Sequence, residues 1–313
     1  MAYCGNFGPE FSTENDVRKA FENQGHKVIR VQEGEIDQWE RLIAEMSRCD
    51  LVLWTRTASE AAKVGIRRQW QMLAAAERAG KPTIGFHLDR WWGLNREQSV
   101  WTEPFFRCST VITADGGHQE EFASVGVNHV WLPPAVSLAE TEPGEAVPQF
   151  RNRLAFVGSW QPGYHAEWSH RRELVEWLKR TYPQDMKFWP RPGQPAIRGT
   201  NLRNLYASVD VVIGDSCLAG GATNYWSDRI PETLGRGGFL IHPNVVGLED
   251  HFMPEVHLRT WEIGNWGELK SKIDHSLATP EIRAEVQEAA REWVRERHTY
   301  DVRVNEIREI AGV

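Results

Sequence analysis

Short apolar runs alternate with amphipathic helical patterns along this 313-residue chain, and the alternation happens twice. Parallel strands can be joined only through crossovers, so such a pattern restricts the chain to α/β sheets with helices on their faces. Between the two series lie Pro133-Pro134 and the acid-, glycine- and proline-bearing stretch from Glu140 to Pro148. We therefore expect an N-terminal unit over 1–135, a linker over 136–152 and a C-terminal unit over 153–313, with the last helix a candidate to cross back to the first unit. Two such units imply a cleft between them.

The first half opens as a βαβ unit. Thr13-x-x-Asp16 is a capping-box pattern, Gly25 stops the helix, and a strand is expected over 27–31. The loop from Gly5 to Asn15 leaves the first strand at its carboxyl end, where open α/β sheets bind ligands. It is not G-x-G-x-x-G, so the dinucleotide fingerprint is absent. Asn6, Phe7 and Ser12 are its candidate contact residues, although the Ser12 hydroxyl equally suits a helix cap. Further strands are expected over 50–54, 81–86, 109–113 and 128–132, with a helix running to Gly80. The second of these strands ends in His87-Leu88-Asp89-Arg90-Trp91-Trp92. His87 and Asp89 are two residues apart, as a base and its orienting partner would be, and His87 also reads as an ordinary buried histidine. Asp115-Gly116-Gly117-His118 ends the next strand, with glycines that admit a ligand to the backbone; Asp115 is a third candidate base and Trp91 a stacking surface.

In the second half, Gly158-Ser159-Trp160 ends a strand, His165, Trp168 and His170 follow, and a helix is expected over 171–180. A helix over 201–208 and a strand over 209–213 lead to Gly214-Asp215-Ser216, and Gly220-Gly221-Ala222 leads on toward Asn224. Asp228-Arg229-Ile230-Pro231-Glu232 then opens a short helix that glycines stop before an apolar strand into His242-Pro243. A helix N-terminus with an arginine suits a phosphate. Glu232 follows Arg229 by three residues, so the arginine can face a diphosphate while the carboxylate faces sugar hydroxyls. The same spacing fits a surface pair that neutralises itself.

Composition narrows the class. Apolar residues at 41% and charged residues at 25% are ordinary for a soluble globular protein, and no apolar run is long enough to span a bilayer. No export signal is visible at Met1-Ala2-Tyr3-Cys4-Gly5, so a cytoplasmic location is expected. Cys4, Cys49, Cys108 and Cys217 are far apart and read as buried thiols. A formal charge of −7 argues against a surface coated in phosphate-binding cations without excluding a local basic groove. There is no D-x-D, no metal-spaced histidine cluster, no P-loop, no H-E-x-x-H and no G-x-S-x-G, so no obligatory metal or cofactor is expected.

The segment R-x-x-E-x-x-x-x-G-G, here Arg229 to Gly238, resembles that of two-domain GT-B glycosyltransferases, especially the CgeB-like group. Gly247-Leu248-Glu249-Asp250-His251-Phe252 and the ending His298-Thr299-Tyr300-Asp301-x-Arg303 are similar to segments of the same family. The resemblance covers roughly 150–310 and implies two Rossmann-like domains facing across a cleft. It also implies a nucleotide-sugar donor, a UDP-sugar foremost, held by Arg229, Glu232 on the ribose, Asp228, Asn224, Gly158, Ser159 and Asp215. Two glutamates eight positions apart are frequent in retaining members; here the first position is Asn224, which leaves inverting and retaining chemistry both open. The arginine–lysine pair of many retaining members is missing after Ser159, unless Arg171 or Arg172 reaches back.

The Gly5–Asn15 loop also looks like that of phage-encoded glycosyltransferases, some set among DNA-modifying genes. That makes a hydroxymethylated DNA base one acceptor, for which Arg67, Arg68, Arg90, Arg96 and Arg107 could line a basic groove; the alternative is that they are solvated helix faces. A small molecule or glycan is the other acceptor class. A nucleotide-sugar-binding protein without catalysis is the reading outside enzymes.

Overall fold

The computed structural model describes residues 1–160, 167–217 and 223–313. Packing divides the chain into two units: Met1–Pro133 with Tyr300–Val313, and Pro134–Thr299. The chain thus passes between them twice.

The first unit runs β1 (Ala2–Gly5), α1 (Thr13–Asn23), β2 (Ile29–Gln32), α2 (Ile36–Ala44), β3 (Val52–Thr55), α3 (Ala58–Val64), α4 (Ile66–Arg78), β4 (Thr83–Phe86), α5 (Ser99–Thr102), β5 (Thr110–Thr113), α6 (Gln119–Ser124) and β6 (His129–Trp131). The strands form one parallel sheet in the order β2-β1-β3-β4-β5-β6. Every residue of β1, β3, β4 and β5 is buried, as in a sheet covered on both faces. Strand order reverses between β1 and β3, which places the switch point at Gly5 and Thr55. The helix cap is Ser12, whose Oγ accepts from the Asn15 amide at 3.2 Å, one residue before the expected Thr13. The single helix expected before Gly80 is broken in two at Gly65, where φ is 82°. Under the sheet, Trp39, Trp54, Phe105 and Phe106 meet edge to face, with centroids 5.2–5.5 Å apart.

The last helix, α12, belongs to this unit and packs on α1; its own range, Tyr300–Ala311, follows the second unit in sequence. Gln24 Nε2 donates to the Asp301 carbonyl at 2.7 Å, and Arg303 Nε donates to the Pro133 carbonyl at 2.7 Å. The His298–Arg303 ending is thus tied into the return of the chain to the first unit.

The second unit runs β7 (Asn152–Val157), α7 (Arg171–Thr181), β8 (Met186–Trp189), α8 (Gly199–Ser208), β9 (Val209–Ile213), α9 (Arg229–Gly235), β10 (Leu240–Pro243), β11 (Arg259–Trp261), α10 (Trp266–Ala278) and α11 (Pro280–Arg297). Its sheet is also parallel, in the order β11-β10-β9-β7-β8, with the switch point between β7 and β9. The stretch 136–152, expected as a linker, is docked on this unit. Val136 N donates to the His298 carbonyl (3.0 Å), Glu145 N to Asn204 Oδ1 (2.9 Å) and Val147 N to Ser208 Oγ (2.8 Å). A Cβ on Gly144 would stand 2.3 Å from the Arg203 backbone, so only glycine lets the segment lie that close to α8. No helix of the described residues is long and apolar enough to cross a membrane.

Candidate functional site

The switch point of the second unit opens into a hollow of about 410 Å³. Its wall includes Gly158, Ser159 and Trp160 after β7, Trp189 at the end of β8, Arg198 before α8, and Arg229. Gly158 has φ +149°, and a side chain there would stand 3.8 Å from Arg229 Nη2. The glycine thus keeps the hollow open beside the cation. Trp189 and Arg198 carry no motif, and only their positions at the end of the unanticipated β8 and in the connection that follows it bring them to this wall. Strand β8 escaped notice because its four residues, Met-Lys-Phe-Trp, bury only the first and last.

Arg229 Nη1 donates to Glu232 Oε2 at 3.0 Å, so the two residues do pair. Arg229 lines the hollow, and the pair is shielded and not on a solvated face, with side chains 22% and 16% exposed. Burial alone would raise the Glu232 pKa, but the guanidinium groups of Arg229, Arg236 and Arg198 outweigh it and hold the carboxyl below its usual range. Burial likewise opposes the Arg229 charge, and Glu232, Tyr206 and Asp228 more than restore it. Helix α9 is only seven residues long, so the cationic character here is that of Arg229 and not of a long helix dipole. Its first amide is satisfied by the Ser227 hydroxyl at 3.3 Å, and the Asp228 side chain makes no capping bond.

Asp215 does not face the hollow as a ligand contact. It is 5% exposed and accepts from Arg171 Nε at 2.8 Å, while Arg171 Nη1 donates to the Ser159 carbonyl at 2.9 Å. The arginine also lies over the Trp168 ring, 4.0 Å from its centroid. Arg171 therefore does reach back, as a brace between the ends of β7 and β9, whereas Arg172 is exposed and pairs with Glu176. Asn224 is held at φ 48°, its amide bonded to the Val246 carbonyl at 2.7 Å. Its Oδ1 fills the place a Cβ of Gly247 would take, 1.5 Å away, and Gly247 itself has φ +88°. The glycine of the Gly247–Phe252 segment thus exists to receive Asn224. His165 and Gly220-Gly221-Ala222 lie outside the described residues.

In the first unit the candidates separate. Asp115 is fully buried and its carboxylate accepts from the Trp91 and Trp92 amides at 2.8 Å and from Thr113 Oγ1 at 2.6 Å. Every lone pair is committed to shaping that turn, so Asp115 is no base. Trp91 is 3% exposed, with Arg56 and Arg96 each 5.7 Å from its ring centroid, and offers no open face. Gly116 is buried, whereas Gly117 is exposed with φ 78°. His87 Nδ1 accepts from the Asp89 amide at 3.1 Å, which leaves the ring proton on Nε2. The Asp89 carboxylate is 4.0 Å from Nδ1 and 60% exposed, so it does not orient the ring. Burial lowers the His87 pKa despite the attraction of Asp89. Of the three candidate bases, Asp89 alone presents an accessible carboxylate. The Ser12 hydroxyl is spent on its cap, Asn6 Oδ1 accepts from the Gly8 amide (3.2 Å) and Gln32 Nε2 (3.0 Å), and the Phe7 ring rests on Tyr3. Among the described residues no group of three or more His, Cys, Asp or Glu could hold a metal.

Two parallel α/β units, each with a switch point, are the GT-B architecture, and solved structures agree over the whole chain. The protein HepE of Anabaena, "in complex with UDP and glucose", aligns with TM-score 0.63 at 13% identity, over 99% of this chain and 98% of that one. A glycosyltransferase from Rickettsia africae gives 0.64 at 12% identity, over 99% and 97%. An alpha-glucosyltransferase "in complex with UDP and a 13-mer DNA containing a central A:G mismatch" gives 0.69 at 10% identity, over 100% and 99%. Identities this low speak to the fold. Residues 145–309, more than half of the 313, match the family described as glycosyl transferase-like, and the chain belongs to that family. A search of the curated proteins returned no match.

Proposed function

We propose that the protein transfers a hexosyl group from a UDP-sugar to an acceptor hydroxyl, with the donor bound in the hollow of the second unit. The observation that carries this reading is the hollow itself. Its wall carries a cation, Arg229, and the indole rings of Trp160 and Trp189, and Arg229 is paired with a carboxylate held ionised, Glu232. Those are the complements of a diphosphate, a ribose hydroxyl and a planar base. Structures of similar fold that hold UDP support the choice of nucleotide. Asp89, as the accessible carboxylate of the first unit, is our candidate proton acceptor for an inverting reaction.

For the acceptor we favour a small molecule or glycan. Of the five arginines that could have lined a nucleic-acid groove, Arg90 is 1% exposed, Arg96 and Arg107 donate to backbone carbonyls, and Arg68 is paired with Glu40. One observation favours DNA, the match along the full chain to a glucosyltransferase that binds it. Titration calorimetry with UDP and GDP tests the donor: we expect UDP to bind and Glu232→Ala to lose most of that affinity while still melting cooperatively. Equal affinity in the variant sinks the site assignment. Duplex binding that weakens steeply with salt would move the acceptor to DNA.

A further inference from the structure

Glu232 sits in an alternating row of charges that continues past the hollow. On its far side Arg236, at the carboxyl end of α9, donates through Nη1 to the Glu232 backbone carbonyl at 3.0 Å and lies 3.9 Å from its Oε1. The Nε of the same guanidinium donates to Glu140 Oε2 at 3.1 Å. Arg236 is 6% exposed, so it cannot relax into water if either partner is removed.

Both ends of the row are fixed by packing. Glu140 stands on a single turn, Leu138–Thr141, that is closed by Thr141 Oγ1 on the Leu138 carbonyl (2.8 Å) and pinned by Arg203 Nη1 on the Ala139 carbonyl (2.9 Å). Helix α9 is clamped where Gly235 meets the side chains of Val294 and Val136, 3.0 and 3.2 Å from where its Cβ would be. A guanidinium is a planar fork, so holding Nε on one fixed group and Nη1 on another leaves it one orientation.

We propose that Arg236 and Glu140 are positioning residues for the donor: Glu140 orients Arg236, and Arg236 fixes Glu232 through its backbone carbonyl and sets a second cation 3.9 Å from its Oε1, opposite the Oε2 that Arg229 binds. This rests on the reading of Glu232 as the group that meets the nucleotide. Without the row, Glu232 would lose the bond that fixes its backbone and the second cation that faces its Oε1, and would keep Arg229 as its ion-pair partner. The segment expected to be a mere linker would then carry part of the donor site.

The test is UDP affinity, by calorimetry, in the full-length protein and in Glu140→Gln, Arg236→Lys, Arg236→Gln and Glu232→Gln, with melting temperatures alongside. Lysine keeps the charge but loses the fork, and Glu140→Gln loses the anchor. Each should weaken UDP binding about tenfold, the loss expected for one charge-assisted hydrogen bond. The pH profile separates positioning from general damage. Three cations face Glu232 (Arg229, Arg236 and Arg198), and Glu140 faces Arg236. Arg236→Gln should therefore move the acid limb of UDP binding to higher pH, while Arg236→Lys should leave it in place. Were Arg236→Gln too unstable to purify, Arg236→Lys and Glu140→Gln decide. Wild-type affinity in those two, with Glu232→Gln impaired, overturns the proposal and leaves the donor site standing. Wild-type affinity in Glu232→Gln overturns the donor site itself.

Discussion

His242 shows how a single residue near the site ties stability to pH. It lies near the end of β10 with no exposed surface, and its Nδ1 donates to the Pro243 carbonyl at 2.8 Å. Burial pushes its pKa down from 6.5 to about 4, against the smaller opposing pull of two backbone hydrogen bonds. The ring is thus neutral in the folded protein and protonated in the unfolded chain once the pH falls below 6.5. Stability present above that value is lost as the pH drops toward 4, in total about 3 kcal/mol. We expect the urea unfolding free energy of His242→Gln to fall less than that of the wild type between pH 7 and pH 5, by about 2 kcal/mol. Identical pH slopes would mean that the ring titrates alike in both states. Gly214 stands against the same ring, with a would-be Cβ 2.8 Å from Cδ2, so the residue before Asp215 must stay small.

At the scale of elements, the ends of β7 and β9 are joined by a brace that spans 44 residues of sequence, Arg171 on Asp215 and on the Ser159 carbonyl. Removing one partner strands the other, since their side chains are only 13% and 2% exposed. Asp215→Ala should cost about 3 kcal/mol and Arg171→Met a similar amount, with the double variant losing well under their sum. Strictly additive losses in urea titrations would show that the pair does not act as a unit. The same brace explains what could be read from sequence. The strand Val209–Ile213 was legible to the residue, because a run of β-branched residues broken only by Asp210 is a local signal. Arg229 and Glu232 were legible as a motif. Arg198 and Trp189 reach the hollow only through the neighbours that sheet order gives them, and β8 and β11 were hidden by partial burial and brevity. Asp115 and Trp91 misled for the converse reason: strand ends attract ligands, but they also need residues that close turns.

At the scale of the molecule, the first unit is discontinuous. Its α1 face is completed by α12, from which Val304 and Ile307 are fully buried and Tyr300 is 4% exposed. Burying three such side chains is worth about 5–8 kcal/mol, comparable with the whole stability of an ordinary domain. A chain ending at Thr299 should therefore lose the cooperative unfolding of the first unit while the second unit, continuous from Pro134 to Thr299, still melts as one transition. Adding a peptide of residues 300–313 in trans should restore the lost transition, and calorimetric scans of the truncated chain with and without it provide the measurement. The second unit alone should also retain UDP binding if the donor hollow is as self-contained as its lining implies, since every residue of that lining lies between Val157 and Arg229. A truncated chain that melts like the intact one would show that α12 is dispensable. A truncated chain that loses UDP altogether would show that the donor hollow depends on residues outside the second unit.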